Sequence, residues 1–281
     1  MILVTGATGT VGREVARLLA ARGPLRILAR TPQRVTERGP AVEVVPGAYG
    51  DRDSLERALD GVHAAFLVTN SMTEPDDAHF VAAARAAGVR HLVKLSALAV
   101  ADPDATDLIT RRQRENETAV RESGLTWTLL RPRAFMTNTL SWAPSVRAEG
   151  VVRALYGDAP NATVDPRDIA EVAVRVLSEP EAHEGARYAL SGPAAVTAVE
   201  QTARLSEALG RPLKFEELGR ERARAALLKR YPEPVAEALL DSAERQRAGA
   251  KAGVSGTVRE LTGRPARSYA DWARAHASAF A

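Results

Sequence analysis

An α/β fold built on a doubly wound parallel sheet, with a small, mainly helical C-terminal substrate region, is predicted by three observations. Six short apolar runs fall within residues 2–130, most of them separated by helical stretches. The first run opens directly into a glycine-rich turn and a helix. After Arg131-Pro132 the alternation stops and helical patterns dominate. Strands alternating with helices make βαβ units, whose right-handed crossovers put helices on both faces of one sheet.

Each element has its own signal. Residues 2–5 are apolar up to a glycine, as a strand covered on both faces requires. Val11, Val15, Leu18 and Leu19 recur at helical spacing until Gly23-Pro24 stops them. Residues 25–29, 42–45, 64–68, 91–95 and 126–130 read as the second to sixth strands, with helices over 54–59, 76–87 and 108–122. Residues 134–147 follow with Pro144 as a break, then a helix over 168–177, a strand over 187–190 and a helix over 199–209. From Glu221 onward the pattern is mainly helical, interrupted at Pro232, Pro234, Gly253, Gly256 and Gly263-Arg264-Pro265. The expected organisation is a nucleotide-binding core over 1–133 and a substrate-binding or lid region over 134–281, interleaved with that core.

Composition narrows the function. The 281 residues are 45% hydrophobic and 26% charged, an ordinary globular balance. The net charge of +3 is too small and scattered to predict a nucleic-acid partner. Only Lys94, Lys214, Lys229 and Lys251 are lysines, so arginine is the default base and a single one says little. With no cysteine, disulfides, thiol catalysis, Cys-ligated zinc and iron–sulfur clusters are excluded. No apolar run reaches the roughly 18–20 residues of a membrane span, so no membrane partner is expected. The opening MILVTGATG reads as a strand and turn, not a secretion signal, which makes a cytoplasmic location the expectation. His63, His79, His91, His183 and His276 form no HxxxH or HExxH pair, so no metal site is expected.

Gly6-Ala7-Thr8-Gly9-Thr10-Val11-Gly12 lies between the first strand and the first helix. A tight turn there needs a residue without Cβ, a diphosphate needs close backbone approach, and free helix N–H groups attract the anion. The spacing is GxxGxxG, a variant of the Rossmann dinucleotide fingerprint. An NAD-preferring site carries an acid ~20 residues on, at the end of the second strand. That strand here ends in Arg30, followed by Arg34, and arginine pairs well with a 2′-phosphate. NADP (NADPH) is therefore the expected cofactor, with Gly6, Thr8, Gly9, Thr10, Val11, Gly12, Arg30 and Arg34 around it. Asp51 either binds the adenine edge or caps the helix that follows it.

Several segments resemble the NmrA-like atypical short-chain dehydrogenases/reductases, a family with quinone and dye reductases and redox-sensing members. They are VTGATGTVGREVARLL, GDRDSLERALDGVHAAFLV, AARAAGVRHLVKLSA, ESGLTWTLLRPRAFMTN, VDPRDIAEVAVRVL, YALSGP and LTGRPARSYADWARAHASAF, which span nearly the whole chain. The resemblance implies a Rossmann core with Thr69, Asn70, Ser96 and Ala97 beside the nicotinamide, and 131–138 closing over cofactor and substrate.

One departure stands out. Short-chain reductases protonate the developing alkoxide with a tyrosine assisted by lysine, while a serine orients the carbonyl. Ser96 holds the serine place, but the tyrosine and lysine places fall near Ile109 and Gln113. Either the protein does not turn over, or its acceptor needs no protein acid. Quinones, polarised conjugated systems and aromatic ketones flanked by a phenol meet that condition. Ser96 is either a hydrogen-bond donor to substrate or a structural serine at a strand end. Met72, Phe135, Met136, Asn138 and Trp142 are expected to line a flat apolar pocket, ordinary core packing being their alternative use. Arg111, Arg112, Arg114, Glu115 and Glu117 read as a solvated helix face. The reading is an NADPH-dependent reductase of a quinone or aromatic ketone, monomeric or homodimeric, acting on a small hydrophobic aromatic substrate. A non-catalytic NADP(H) redox sensor is the alternative, and a sugar-nucleotide epimerase is disfavoured by the missing pair.

Overall fold

Seven parallel strands form the centre of the computed structural model, which describes residues 1–281. The strands in chain order are β1 (Ile2–Thr5), β2 (Leu25–Ala29), β3 (Val42–Pro46), β4 (Ala64–Leu67), β5 (His91–Leu95), β6 (Thr126–Pro132), β7 (Val151–Ala154), β8 (Arg187–Leu190) and β9 (Lys214–Glu217). The large sheet runs β3-β2-β1-β4-β5-β6-β8, and β7 pairs with β9 in a separate parallel ribbon. Both faces of the large sheet are covered, which is why its central strands are largely apolar: every residue of β4 and β5 is buried, His91 and Lys94 of β5 included.

Strand alternation divides the core in two. Val4, Ile27, Phe66, Val93 and Leu130 point to one face, under α1 (Thr10–Ala20) and a later helix over Pro166–Ser178. Their neighbours Leu3, Leu28, Ala65, Leu92 and Leu129 point to the other, under α2 (Arg52–Leu59), α3 (Asp76–Ala86) and α4 (Leu108–Arg121). After α5 (Ala143–Glu149), the Pro166–Ser178 helix is α6; it and β8 bring the second half of the chain into the core layers. The remaining helices are α7 (Ala198–Leu209), α8 (Arg220–Leu228), α9 (Glu233–Arg247), α10 (Thr257–Thr262) and α11 (Tyr269–Ala275). A third core joins α5, β7, α7 and α11 around fully buried Trp272 and Phe280.

Four sequence expectations are corrected. Pro144 does not break a helix but starts α5, and Pro234 likewise sits in the first turn of α9, where a missing N–H costs nothing. Residues 136–142 form a 3-10 turn. The β7–β9 ribbon was not expected, because the Lys-Phe-Glu-Glu of β9 carries no apolar alternation. The α4 charges are only in part a solvated face: Arg111 and Glu115 are exposed, but Glu117 is buried, and Arg114 is half-buried, donating to the carbonyls of Val100, Ala105 and Asp102.

Candidate active site

The strand order reverses between β1 and β4, and in such sheets the crevice beyond the carboxyl ends of the strands is the ligand site. Thr5 marks the opening: its hydroxyl donates to the Phe66 carbonyl and accepts from the Val68 N–H at 2.8 Å. Gly6 then turns with φ +67°, and a Cβ there would sit 2.9 Å from that of Val68. A Cβ on Gly12 would sit 2.3 Å from the Gly6 carbonyl oxygen, so glycine lets α1 pack directly on the turn. Gly9 is the N-cap of α1 and supplies no side-chain cap. The first N–H groups of the helix therefore face the crevice without intrahelical acceptors.

A cleft of about 180 Å³ lies there, walled by Gly6–Gly9, Leu28–Arg30, Gly47–Tyr49, Val68 and Asn70. Uncapped helix N–H groups, a turn that tolerates no Cβ and an arginine at the rim fit the diphosphate and ribose phosphate of a nicotinamide nucleotide. Gly6, Thr8, Gly9, Arg30 and Asn70 line this cleft. Thr10, Val11 and Gly12, also expected around the cofactor, are the first residues of α1 and do not line the cleft, the Val11 side chain lying in the core.

Three expected cofactor residues stand elsewhere. Asp51 is the N-cap of α2, accepting from the Ser54 N–H at 3.2 Å, and does not line the cleft. Arg34 is exposed on a short 3-10 turn away from the wall. Thr69 is buried between Lys94, which donates to it at 2.7 Å, and Asp77. Lys94 and Asp77 form a buried ion pair at 2.9 Å under the end of β4. Burial pulls the Lys94 ammonium down, Asp77 opposing it. Sequence reasoning missed Tyr49 as a cleft wall; its hydroxyl donates to the Val68 carbonyl at 2.6 Å.

A second cleft, of about 350 Å³, opens beyond β5 and β6. Its walls are Ser96–Ala99, the start of α4 with Asp107, Ile109 and Thr110, the stretch Pro132–Phe135 with Asn138, and Leu239, Ser242, Arg245 and Lys251. Phe135 and Asn138, expected in the substrate pocket, line this cleft. Met136 and Trp142 instead pack into the third core, and Met72 lies outside the cleft.

Ser96 lines this cleft, but its hydroxyl donates to Glu117 at 2.6 Å, and Glu117 is held by Arg131 at 2.5 and 2.8 Å. The single hydroxyl proton is therefore engaged with a paired carboxylate. Ile109, at the expected tyrosine place, faces the cleft and carries no acid.

The far wall is cationic, which the sequence did not reveal because its members lie 118 residues apart, from 133 to 251. Arg245 pairs with Asp107 at 2.8 Å. Arg133 donates to the Ala250 carbonyl at 3.2 Å, while its Nε is buried without a partner. The Lys251 ammonium donates to the Ser242 hydroxyl at 2.7 Å. Burial, with Arg245 and Arg133 nearby, pulls Lys251 down to about 8.

The chain is similar to known proteins over its full length. Residues 6–180 match the NAD(P)H-binding family model. A (4-alkanoyl-5-oxo-2,5-dihydrofuran-3-yl)methyl phosphate reductase of Streptomyces griseus is 69% identical, covering 100% of this chain and 99% of that protein. An NAD(P)H azoreductase of Xenophilus azovorans is 38% identical, covering 100% and 99%. The crystal structure of an NADPH-dependent quinone oxidoreductase from Escherichia coli, complexed with NADPH, superposes with a TM-score of 0.85 at 31% identity, over 97% of this chain and 98% of that one. No helix is long and apolar enough to cross a membrane. The chain is an NAD(P)H-dependent oxidoreductase and belongs to the NAD(P)H-binding family of NmrA-like, atypical short-chain dehydrogenases/reductases.

Proposed function

We propose that this protein uses NADPH to reduce the ring double bond of a small 4-alkanoyl-5-oxo-2,5-dihydrofuran, as its methyl phosphate ester. The observation that carries the reading is the substrate cleft, which has apolar lining and a cationic wall but no tyrosine–lysine pair, its Ser96 hydroxyl being engaged with Glu117. The 69% identical relative, named for this substrate class, supports it. A quinone or aromatic ketone, the acceptors expected from the sequence, would leave the cationic wall without a role.

The chemistry fits a cleft without the tyrosine–lysine pair of the short-chain reductases. When bound, the nicotinamide supplies a hydride. The ring C3=C4 bond is conjugated with both the lactone and the alkanoyl carbonyl, so C3 is electrophilic. A C–H bond forms at C3 while the π pair moves to C4 and into the two carbonyls. That charge is stabilised within the substrate, and a proton from water reaches C4 afterwards. The protein's task is to hold the ring against the nicotinamide. Phe135, Ile109 and Leu98 form the apolar surface against which the ring and its alkanoyl chain lie. The Arg131–Glu117–Ser96 chain fixes the end of β5 against β6, which sets one wall of the site. Arg30 at the rim of the cofactor cleft supports the preference for NADPH.

The test is NADPH absorbance with the furanone phosphate, a quinone and a hydroxylated aromatic ketone in parallel. The furanone phosphate is expected to show kcat/KM at least ~10-fold above the others, about 1.4 kcal/mol of transition-state preference. A quinone turned over faster contradicts the substrate. A flat trace on all three with intact NADPH binding favours the redox-sensor alternative.

A further inference from the structure

We propose that Arg133 and Lys251, supported by Arg245, form an anion pocket that takes the phosphomonoester of the substrate; this rests on the reductase reading above. The three side chains come from separate segments: the residue after β6, the last turn of α9 and the loop beyond it. All three line one wall of the substrate cleft. All three are half-buried, and cations withdrawn from water are normally paired, because desolvation is costly without a counter-ion. Arg245 obeys the rule through Asp107. Arg133 and Lys251 do not: their partners are a carbonyl and a hydroxyl, both neutral.

The donors on that wall suit an acceptor with several oxygens and negative charge. Arg133 keeps a buried Nε–H without a partner. Two of the three protons of the Lys251 ammonium remain after the bond to Ser242, whose own hydroxyl hydrogen is unused by the protein. A phosphate monoester offers three oxygens to these donors, and its charge matches two unpaired cations. A neutral quinone would leave both half-buried cations without a direct anionic partner. Leu98, Ile109 and Phe135 on the rest of the wall suit an apolar substituent, so the cleft separates the two ends of one substrate.

The charged groups facing Lys251 are Arg133 after β6, Arg245 on α9 and Asp107 at the start of α4. With Lys251 pulled down to about 8, the ammonium loses its proton as pH rises through that region. Affinity for the ester should then fall between pH 7 and 9, while affinity for the free alcohol should not follow it.

The experiment compares the furanone methyl phosphate with its dephosphorylated alcohol in wild type, Lys251→Met, Arg133→Met and Lys251→Arg. Wild type should favour the ester in kcat/KM by about 100-fold, the scale of two charge-assisted hydrogen bonds. Lys251→Met and Arg133→Met should each cut that ratio about tenfold, through KM rather than kcat, and Lys251→Arg should keep most of it. Unchanged NADPH affinity shows that a variant is folded. Inorganic phosphate is titrated separately by calorimetry: wild type should bind it, and the double Met variant should not. An ester-to-alcohol ratio near one in wild type overturns the pocket while leaving the reductase intact. If neither compound is reduced, the reductase reading fails and the phosphate titration still decides the pocket.

Discussion

Arg30 and Ser96 define the two ends of the site, and each has a consequence that can be measured. Arg30 is exposed at the rim of the cofactor cleft, where a 2′-phosphate is its natural partner. Arg30→Ala should weaken NADPH by ~1.5–3 kcal/mol and leave NADH nearly unchanged, as titration of both nucleotides will show. Equal losses for the two would mean that Arg30 does not read the phosphate. The Ser96 hydroxyl already donates its hydrogen bond to Glu117, so Ser96→Ala should lose under ~10-fold in kcat, against the ~10²–10⁴ of a general acid. A loss above ~10³-fold, with NADPH binding intact, would make Ser96 the acid. The places of Ser96, Phe135 and Asn138 were legible because each follows a strand end. The partner of Ser96 was not: Glu117 is 21 residues away on α4, and nothing in a run of alternating charges marks which of them turns inward. Arg133 and Lys251 were hidden for the same reason, since only the fold brings them together.

Among the elements, β5 carries an unusual load for a central strand. His91 is buried on it, its Nε2 within 3.0 Å of the Thr128 hydroxyl of β6. That hydroxyl donates to the His183 carbonyl, so it accepts from His91, and Nδ1 is the ring nitrogen without a partner. A second proton there has no acceptor. Burial, followed by the nearby His183, holds His91 down at about 4 against its ordinary 6.5. Between those values the unfolded chain binds the proton that the folded chain refuses, so stability is full above pH 6.5 and falls toward pH 4. The loss should be on the order of 2 kcal/mol after allowance for solvent screening. His91→Gln keeps the donor to Thr128 without the titration, and its urea midpoint should fall less between pH 7 and 5 than that of wild type. Parallel falls would contradict the assignment. The strands of this sheet were legible because burial on both faces makes them largely apolar. The β7–β9 ribbon was not, because a polar edge ribbon lacks that pattern.

Across the molecule, the second half of the chain is tied back to the core by charge as well as by packing. Asp168 on α6 is fully buried and accepts from Arg264 at 2.8 Å and from the Arg267 N–H at 2.7 Å, both in the loop between α10 and α11. Glu171, one turn on, pairs with the same two arginines. Burial works to raise the Glu171 carboxyl, but the two arginines outweigh it and hold it low. Removing Asp168 leaves both guanidinium groups short of a partner, though both reach solvent. Asp168→Ala should therefore cost about 3 kcal/mol in a denaturant titration, the low end for a broken buried pair. A cost below ~1 kcal/mol would show the clamp to be dispensable. The Gly263-Arg264-Pro265 signal marked this loop as a break but not as an anchor, since its acids lie about a hundred residues earlier. At this scale the protein is two clefts side by side at the carboxyl end of one sheet, and the central claim is where the hydride goes. NADPH carrying deuterium at the transferable position of its nicotinamide, reacted with the furanone phosphate and read by NMR of the product, tests it most directly. The account predicts deuterium on ring carbon 3 and an intact alkanoyl carbonyl. Deuterium on the former alkanoyl carbonyl carbon, now an alcohol, would contradict it.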